Sequence, residues 1–186
     1  MRRRTLLTMI VTVPLVMGCS GQYGGLPSLA APSPEPYQLG PGDEIRITVF
    51  GFDALSGTYA VSDSGIIAVP LVGTLSVQGR SIGDVETMLA STLQKRDIAP
   101  RANISIQVQR YRPFYILGEV QKPGEISYAP GMTILKAVSI AGGYTFRADT
   151  KQAIVSRPGA RPERGRAAPM DAVRPGDTII VPEAWF

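Results

Sequence analysis

Five Pro-Gly pairs punctuate the chain from residue 41 onward, at Pro41-Gly42, Pro123-Gly124, Pro130-Gly131, Pro158-Gly159 and Pro175-Gly176. Proline presets φ and removes a backbone donor, while glycine accepts positive φ, so each pair suits a type II turn and interrupts regular structure. Several lead straight into short apolar or alternating runs. Ile45-Arg46-Ile47-Thr48-Val49 and Ile104-Ser105-Ile106-Gln107-Val108 alternate with period two, as half-buried strands do. Phe114 to Val120, Glu125 to Tyr128, Ala153 to Ser156 and Thr178 to Val181 read as further strands, with shorter pieces around Tyr59 and Ile66.

Two stretches carry helical spacing. Ile82, Val85, Met88, Leu89 and Leu93 make one apolar face, opened by Ser81 with Asp84 three residues later, a capping-box pattern. Ile134, Leu135, Val138 and Ala141 follow Thr133 as N-cap, and Gly142-Gly143 supplies a stop. The expected fold class is therefore α+β, in two segments divided near Tyr111-Arg112-Pro113. They run from 37 to 110 and from 111 to 182, with 183–186 as a tail.

The N-terminus points to a compartment. Residues 1–18 hold Arg2, Arg3 and Arg4 and then an apolar run from Leu6 to Met17 that is short for a bilayer span, the pattern of an export signal. Leu15-Val16-Met17-Gly18-Cys19 resembles a bacterial lipobox, which makes Cys19 the lipidation site and leaves the mature chain without a thiol for disulfides. An uncleaved signal anchor is the alternative. Ser20 after the cysteine implies outer-membrane sorting for lipoproteins of this kind. Residues 19–36 form a linker dense in Gly and Pro, including Pro27, Pro32, Pro34 and Pro36; as a stalk or as a disordered leader, it places the start of the fold near Tyr37.

Composition narrows the function classes. The chain of 186 residues has no histidine, which removes imidazole bases and ligands. Its net charge of +4 falls to +1 once Arg2, Arg3 and Arg4 are set aside, so nucleic acid is not an expected partner. Gly79-Arg80-Ser81-Ile82-Gly83 fits the G-x-S-x-G nucleophile elbow, but without a base for the serine a helix N-cap accounts for it. Asp43 and Glu44, adjacent at a strand entry, should diverge rather than form the carboxylate pair a glycosidase needs. No catalytic residue, metal site or cofactor is expected.

Leu39-Gly40-Pro41-Gly42-Asp43-Glu44-Ile45 is echoed by Val173-Arg174-Pro175-Gly176-Asp177-Thr178-Ile179. The echo reads either as two strands entered by one turn chemistry or as a duplicated module. On the first reading Pro41, Gly42, Asp43, Pro175, Gly176 and Asp177 are structural turn residues. From Arg147 to Arg174 seven basic residues face three acids, and within that stretch Pro158 to Pro169 reads as an exposed loop. Arg157, Arg161, Arg164 and Arg166 are then either a solvated basic surface or contacts to an acidic polymer or a neighbouring subunit. Tyr111, Phe114, Tyr115, Tyr128, Tyr144 and Phe146 are core or sugar-stacking residues, with Tyr144 and Phe146 the best placed for exposure.

Tyr37 to Ile45, Val61-Ser62-Asp63-Ser64-Gly65-Ile66-Ile67-Ala68-Val69-Pro70-Leu71-Val72-Gly73 and Val77-Gln78-Gly79-Arg80-Ser81 together resemble the bacterial polysaccharide export family, the outer-membrane auxiliary proteins of capsule and exopolysaccharide secretion. Gly118-Glu119-Val120-Gln121-Lys122-Pro123-Gly124 with Ala141-Gly142-Gly143 resembles the start of a soluble-ligand-binding β-grasp module, or SLBB domain, the usual companion. Two departures are a serine inside the family's Asp-Gly turn, at Asp63-Ser64-Gly65, and the lack of a C-terminal transmembrane helix before the chain stops at Phe186. The resemblance implies a β-rich export domain followed by a β-grasp-like domain, in a lipid-anchored outer-membrane protein whose folded part faces the periplasm. It further implies a homo-oligomeric ring around a polysaccharide, an inner-membrane polysaccharide co-polymerase as partner, and a separate outer-membrane β-barrel as exit. The rival readings are a non-conducting envelope scaffold or glycan-binding lipoprotein, and a histidine-independent glycan-cleaving enzyme.

Overall fold

In the computed structural model, residues 25–29, 36–100, 103–159 and 162–184 are described. The expected leader 1–18, Cys19, most of the linker and Arg161 lie outside the described residues.

The first unit comprises β1 (Glu44–Val49), β2 (Gly57–Ala60), β3 (Ile66–Val69), β4 (Gly73–Ser76), α1 (Ile82–Lys95) and β5 (Ile104–Arg110). Alternation along β1 sends Ile45, Ile47 and Val49 inward, and β1 sits between β2 and β5 in an antiparallel sheet. β3 and β4 make a separate hairpin whose Ile67, Val69 and Leu75 join the same core. Val85, Leu89 and Leu93 of α1 close it; burying each such side chain contributes about 1.5–3 kcal/mol. Glu86 of α1 accepts the Ile106 amide at 2.8 Å, satisfying a β5 donor with a side chain from the helix.

The second unit is β6 (Phe114–Gly118), β7 (Gly124–Ile126), α2 (Ile134–Ile140), β8 (Ala153–Arg157), β9 (Glu163–Ala167) and β10 (Thr178–Val181). Its five-stranded sheet runs β7-β6-β10-β8-β9, with β6 and β10 parallel at the centre and the other pairs antiparallel. Ile134, Ala137 and Val138 of α2 pack on Phe114, Ile116, Val155, Ile179 and Val181. Thr133 caps α2 and Gly142 and Gly143, at φ +84° and +96°, end it. The protein is α+β, and no helix among the described residues is long and apolar enough to cross a membrane.

Two sequence expectations need correction. The stretch read as an exposed loop contains β9, with Gly165 and Ala167 buried and Arg164 and Arg166 on the opposite face. Its alternation uses small rather than large inward residues, which hid the period of two. The fold also does not begin at Tyr37. Pro27 to Leu29 extends the sheet beyond β9: the Leu29 amide donates to Arg166 O and the Arg166 amide to Pro27 O, each at 2.8 Å, and Leu29 packs against the second core. A Cβ on Gly165 would stand 2.7 Å from Pro27 O and 2.9 Å from Leu29 Cγ, so this close crossing needs glycine.

Two predictions follow from these elements. Gly165→Ala forces the Pro27–Leu29 segment off β9; faster proteolysis at residues 25–29 and a loss of about 1–3 kcal/mol in chemical denaturation are expected, whereas an unchanged cleavage rate contradicts the pairing. At the start of α1 the Ser81 hydroxyl and amide hold the Asp84 carboxyl below its ordinary range. A carboxyl depressed in the folded state stabilises above its ordinary pKa and loses that contribution as pH falls through its folded value. The difference in Tm between the parent and Ser81→Ala should therefore be largest at neutral pH and shrink as pH falls through about 4 and below.

Candidate functional site

The two echoed turns fold alike. In each, the aspartate amide donates to the carbonyl three residues back, Asp43 to Gly40 at 3.2 Å and Asp177 to Arg174 at 3.1 Å. The glycines sit at φ +88° (Gly42) and +85° (Gly176), which only a residue without Cβ adopts freely. Each carboxylate accepts the amide three residues back at 2.8 Å, from Gly40 to Asp43 and from Arg174 to Asp177. Both aspartates are 0% exposed. Each also lends its carbonyl to a neighbouring segment, Asp43 to the Val61 amide and Asp177 to the Tyr115 amide.

A buried carboxylate needs donors, because leaving it unpaired costs several kcal/mol. Asp177 obtains them from Arg157, whose Nε and Nη2 reach Oδ1 and Oδ2 at 3.1 Å each, a fork-on-carboxylate pair within the second unit. Asp43 obtains them across the boundary between the units. The Arg112 amide donates to its Oδ1 at 2.8 Å, while Oδ2 accepts Arg112 Nη1 at 3.2 Å and the Tyr37 hydroxyl at 2.7 Å. Arg112 Nε in turn donates to Pro175 O at 3.1 Å, so one guanidinium holds the carboxylate of the first turn and a carbonyl of the second.

Glycines make room for that guanidinium. A Cβ on Gly40 would lie 2.1 Å from Arg112 Nη1, and one on Gly176 would lie 2.9 Å from Nε. Aromatic rings line the same boundary: Tyr37 meets Tyr111 edge-on at 5.0 Å, Tyr111 meets Tyr128 at 5.3 Å, and the Arg112 guanidinium lies 5.7 Å from the Tyr37 ring centre. Tyr37 packs on the first core and Tyr128 on the second, so the three rings connect the cores. Burial, and then the hydrogen bond to Asp43, push the Tyr37 hydroxyl far above its ordinary pKa and keep it a donor.

The residues expected to contact polymer or a subunit are scattered. Arg157 is not on an open loop; its side chain is 11% exposed and committed to Asp177. Arg166 is half-buried and donates from Nε to Leu26 O at 2.9 Å. Arg164 is exposed, Phe146 is 92% exposed, and Tyr144 is half-buried beside the second core. Phe114 is core, and Tyr111 and Tyr128 belong to the junction. Ser81 is engaged in the capping box, and Asp43 and Glu44 diverge, Glu44 pairing with Arg110 at the surface. Among the described residues no group of three or more acidic or Cys side chains is placed to hold a metal ion. Sequence reasoning missed Arg112 altogether. The one available signal was a lone cation inside the boundary tripeptide Tyr111-Arg112-Pro113.

Asp43→Ala strands the Arg112 guanidinium, so a loss of about 3–5 kcal/mol is expected in urea denaturation. Glu44→Ala breaks the neighbouring but exposed pair with Arg110, for which a change of at most about 1 kcal/mol is expected. Equal effects in the two variants would contradict the assignment of Asp43 to a buried junction.

Comparison with known proteins finds two family models along the chain. Residues 31–109 match the family model described as Polysaccharide biosynthesis/export protein, and residues 113–170 match the SLBB domain. The chain is 39% identical over 127 residues to the exopolysaccharide production protein ExoF of Rhizobium meliloti (strain 1021), a match covering 62% of this chain and 30% of that protein. It is 28% identical over 133 residues to the EPS I polysaccharide export outer membrane protein EpsA of Ralstonia solanacearum, covering 58% of this chain and 35% of that one. The polysialic acid transport protein KpsD of Escherichia coli is 28% identical over 109 residues, with 58% and 19% covered. The chain thus spans about a third or less of the length of these relatives. The chain therefore carries a polysaccharide export domain followed by an SLBB domain, as its match to polysaccharide export proteins requires.

Proposed function

We propose that this chain is a lipid-anchored component of a capsule or exopolysaccharide export path, held at the outer membrane through Cys19 with its two folded units in the periplasm. Copies assemble into a ring, each unit contributing one layer around a passage for the polymer. The path runs from an inner-membrane polysaccharide co-polymerase to an outer-membrane β-barrel exit, and its work is steric and electrostatic rather than catalytic. The observation that carries the reading is the junction. Arg112 ties the Asp43 turn of the export domain to the Pro175 carbonyl of the SLBB domain, which suits a part that must stack layers in a fixed orientation.

The reading is tested by fractionating polysaccharide from a clean deletion strain into secreted, surface and periplasmic pools. Loss of the secreted polymer is expected, restored by the intact gene and not by Cys19→Ala. Normal secretion in a strain without a redundant copy would favour a non-conducting envelope scaffold instead.

A further inference from the structure

The second unit packs α2 on one face of its sheet; the opposite face is open at Tyr115, Leu117 and Arg164 and closed at Ile154. Aligned partners in neighbouring strands share a face, so the register defines what that outer face presents. One row crosses all five strands as Glu125, Tyr115, Thr178, Ser156 and Arg164. The next row runs Leu117, Ile180, Ile154 and Arg166. Tyr115 is 43% exposed and Leu117 44%, Arg164 and Glu125 are exposed, Thr178, Ser156, Ile180 and Arg166 are half-buried, and Ile154 is fully buried, so the first row is the accessible one.

The chemistry of these rows is uneven in a useful way. Strands lie about 4.8 Å apart, so the backbone positions of Tyr115 on β6 and Arg164 on β9 are separated by ~14 Å, enough for a short oligosaccharide lying across the strands. Tyr115 and Leu117 offer apolar surface for the C–H faces of sugar rings, and the Thr178 and Ser156 hydroxyls offer both donors and acceptors. Arg164 supplies a planar donor fork for a carboxylate at one end. At the other end Glu125 accepts the Tyr115 hydroxyl at 3.2 Å and repels anions. The row runs from an acid at one end through hydroxyls to a cation at the other, an order that a glycan with a carboxylate at one end would match.

We propose that the outer face of the SLBB-domain sheet, along Tyr115, Thr178, Ser156 and Arg164, is a binding surface for an acidic oligosaccharide, with a carboxylated sugar at the Arg164 end. This deepens the export reading and rests on it for the polymer's relevance. Tyr144 and Phe146, the aromatics singled out from the sequence, belong to neither row.

The test is binding of a polysialic acid oligomer, and of a neutral glucan oligomer of equal length, to the full chain purified in detergent, followed by calorimetry. Preferential binding of the acidic oligomer is expected, weakened roughly ten- to hundredfold by Arg164→Gln and weakened also by Tyr115→Ala, with circular dichroism unchanged. Equal binding of both oligomers, binding of neither, or affinity unchanged in Arg164→Gln overturns the proposal. Self-association abolished by Leu117→Asp, with no glycan binding, would assign the face to a second copy of the chain and also overturn it. The same variants separate this proposal from the export reading. Deletion that blocks secretion, with secretion normal in Arg164→Gln and Tyr115→Ala, sinks the binding face and leaves the export role standing. Glycan binding in vitro with normal secretion in the deletion strain does the reverse.

Discussion

The buried carboxylate of Asp43 is the constraint on which the arrangement of the two units depends. It is fully inaccessible to water and accepts from the Gly40 amide, the Tyr37 hydroxyl, and the Arg112 backbone and guanidinium. A charge in that position is stabilised by each of these partners, and removing one is costly without necessarily unfolding the unit. Two of these donors come from Arg112, which opens the second unit, so folding of the first unit's opening turn and orientation of the second are one event. Gly40 and Gly176 leave space for the guanidinium, and the Tyr37, Tyr111 and Tyr128 rings pack around it.

Asp177 shows what the junction adds. The same turn, with a glycine at nearly the same φ and the same amide-to-carboxylate bond, meets its charge requirement inside its own unit through Arg157. Pairing within a unit stabilises that unit alone, whereas pairing across units transmits orientation. The second turn still takes part, but through the Pro175 carbonyl rather than through its carboxylate. The stack of layers proposed above would require this kind of coupling, since a hinge between units would let the layers shift relative to one another.

Much of the fold was legible in the residues. β1 and β5 followed from strict alternation, α1 and α2 from apolar spacing with Ser81 and Thr133 as caps, and the Pro-Gly-Asp echo pointed to two equivalent strand entries. What stayed hidden depended on partners distant in sequence. β9 turns Gly165 and Ala167 inward, residues too small to mark a buried face, because Pro27 to Leu29 lies close against Gly165. That extended segment was itself concealed by a composition poor in core formers, since only Leu29 reaches the core. Arg157 counted as surface charge until the fold placed Asp177 beside it. The outer sheet face was likewise beyond reach, because Tyr115, Thr178, Ser156 and Arg164 are spread over four strands and meet only through register.

The most direct test of the account is a distance measurement between the units by pulsed electron resonance, with spin labels at Ala90→Cys on α1 and Ser139→Cys on α2 in a Cys19→Ser background. Both labelled positions are exposed, so labelling leaves the cores intact. A single narrow distance distribution is expected for the otherwise unchanged protein, broadening in Arg112→Ala while the circular dichroism of both units persists. A distribution that is already broad with Arg112 present, or one that stays equally narrow without it, would contradict the claim that this arginine holds the two units in one orientation.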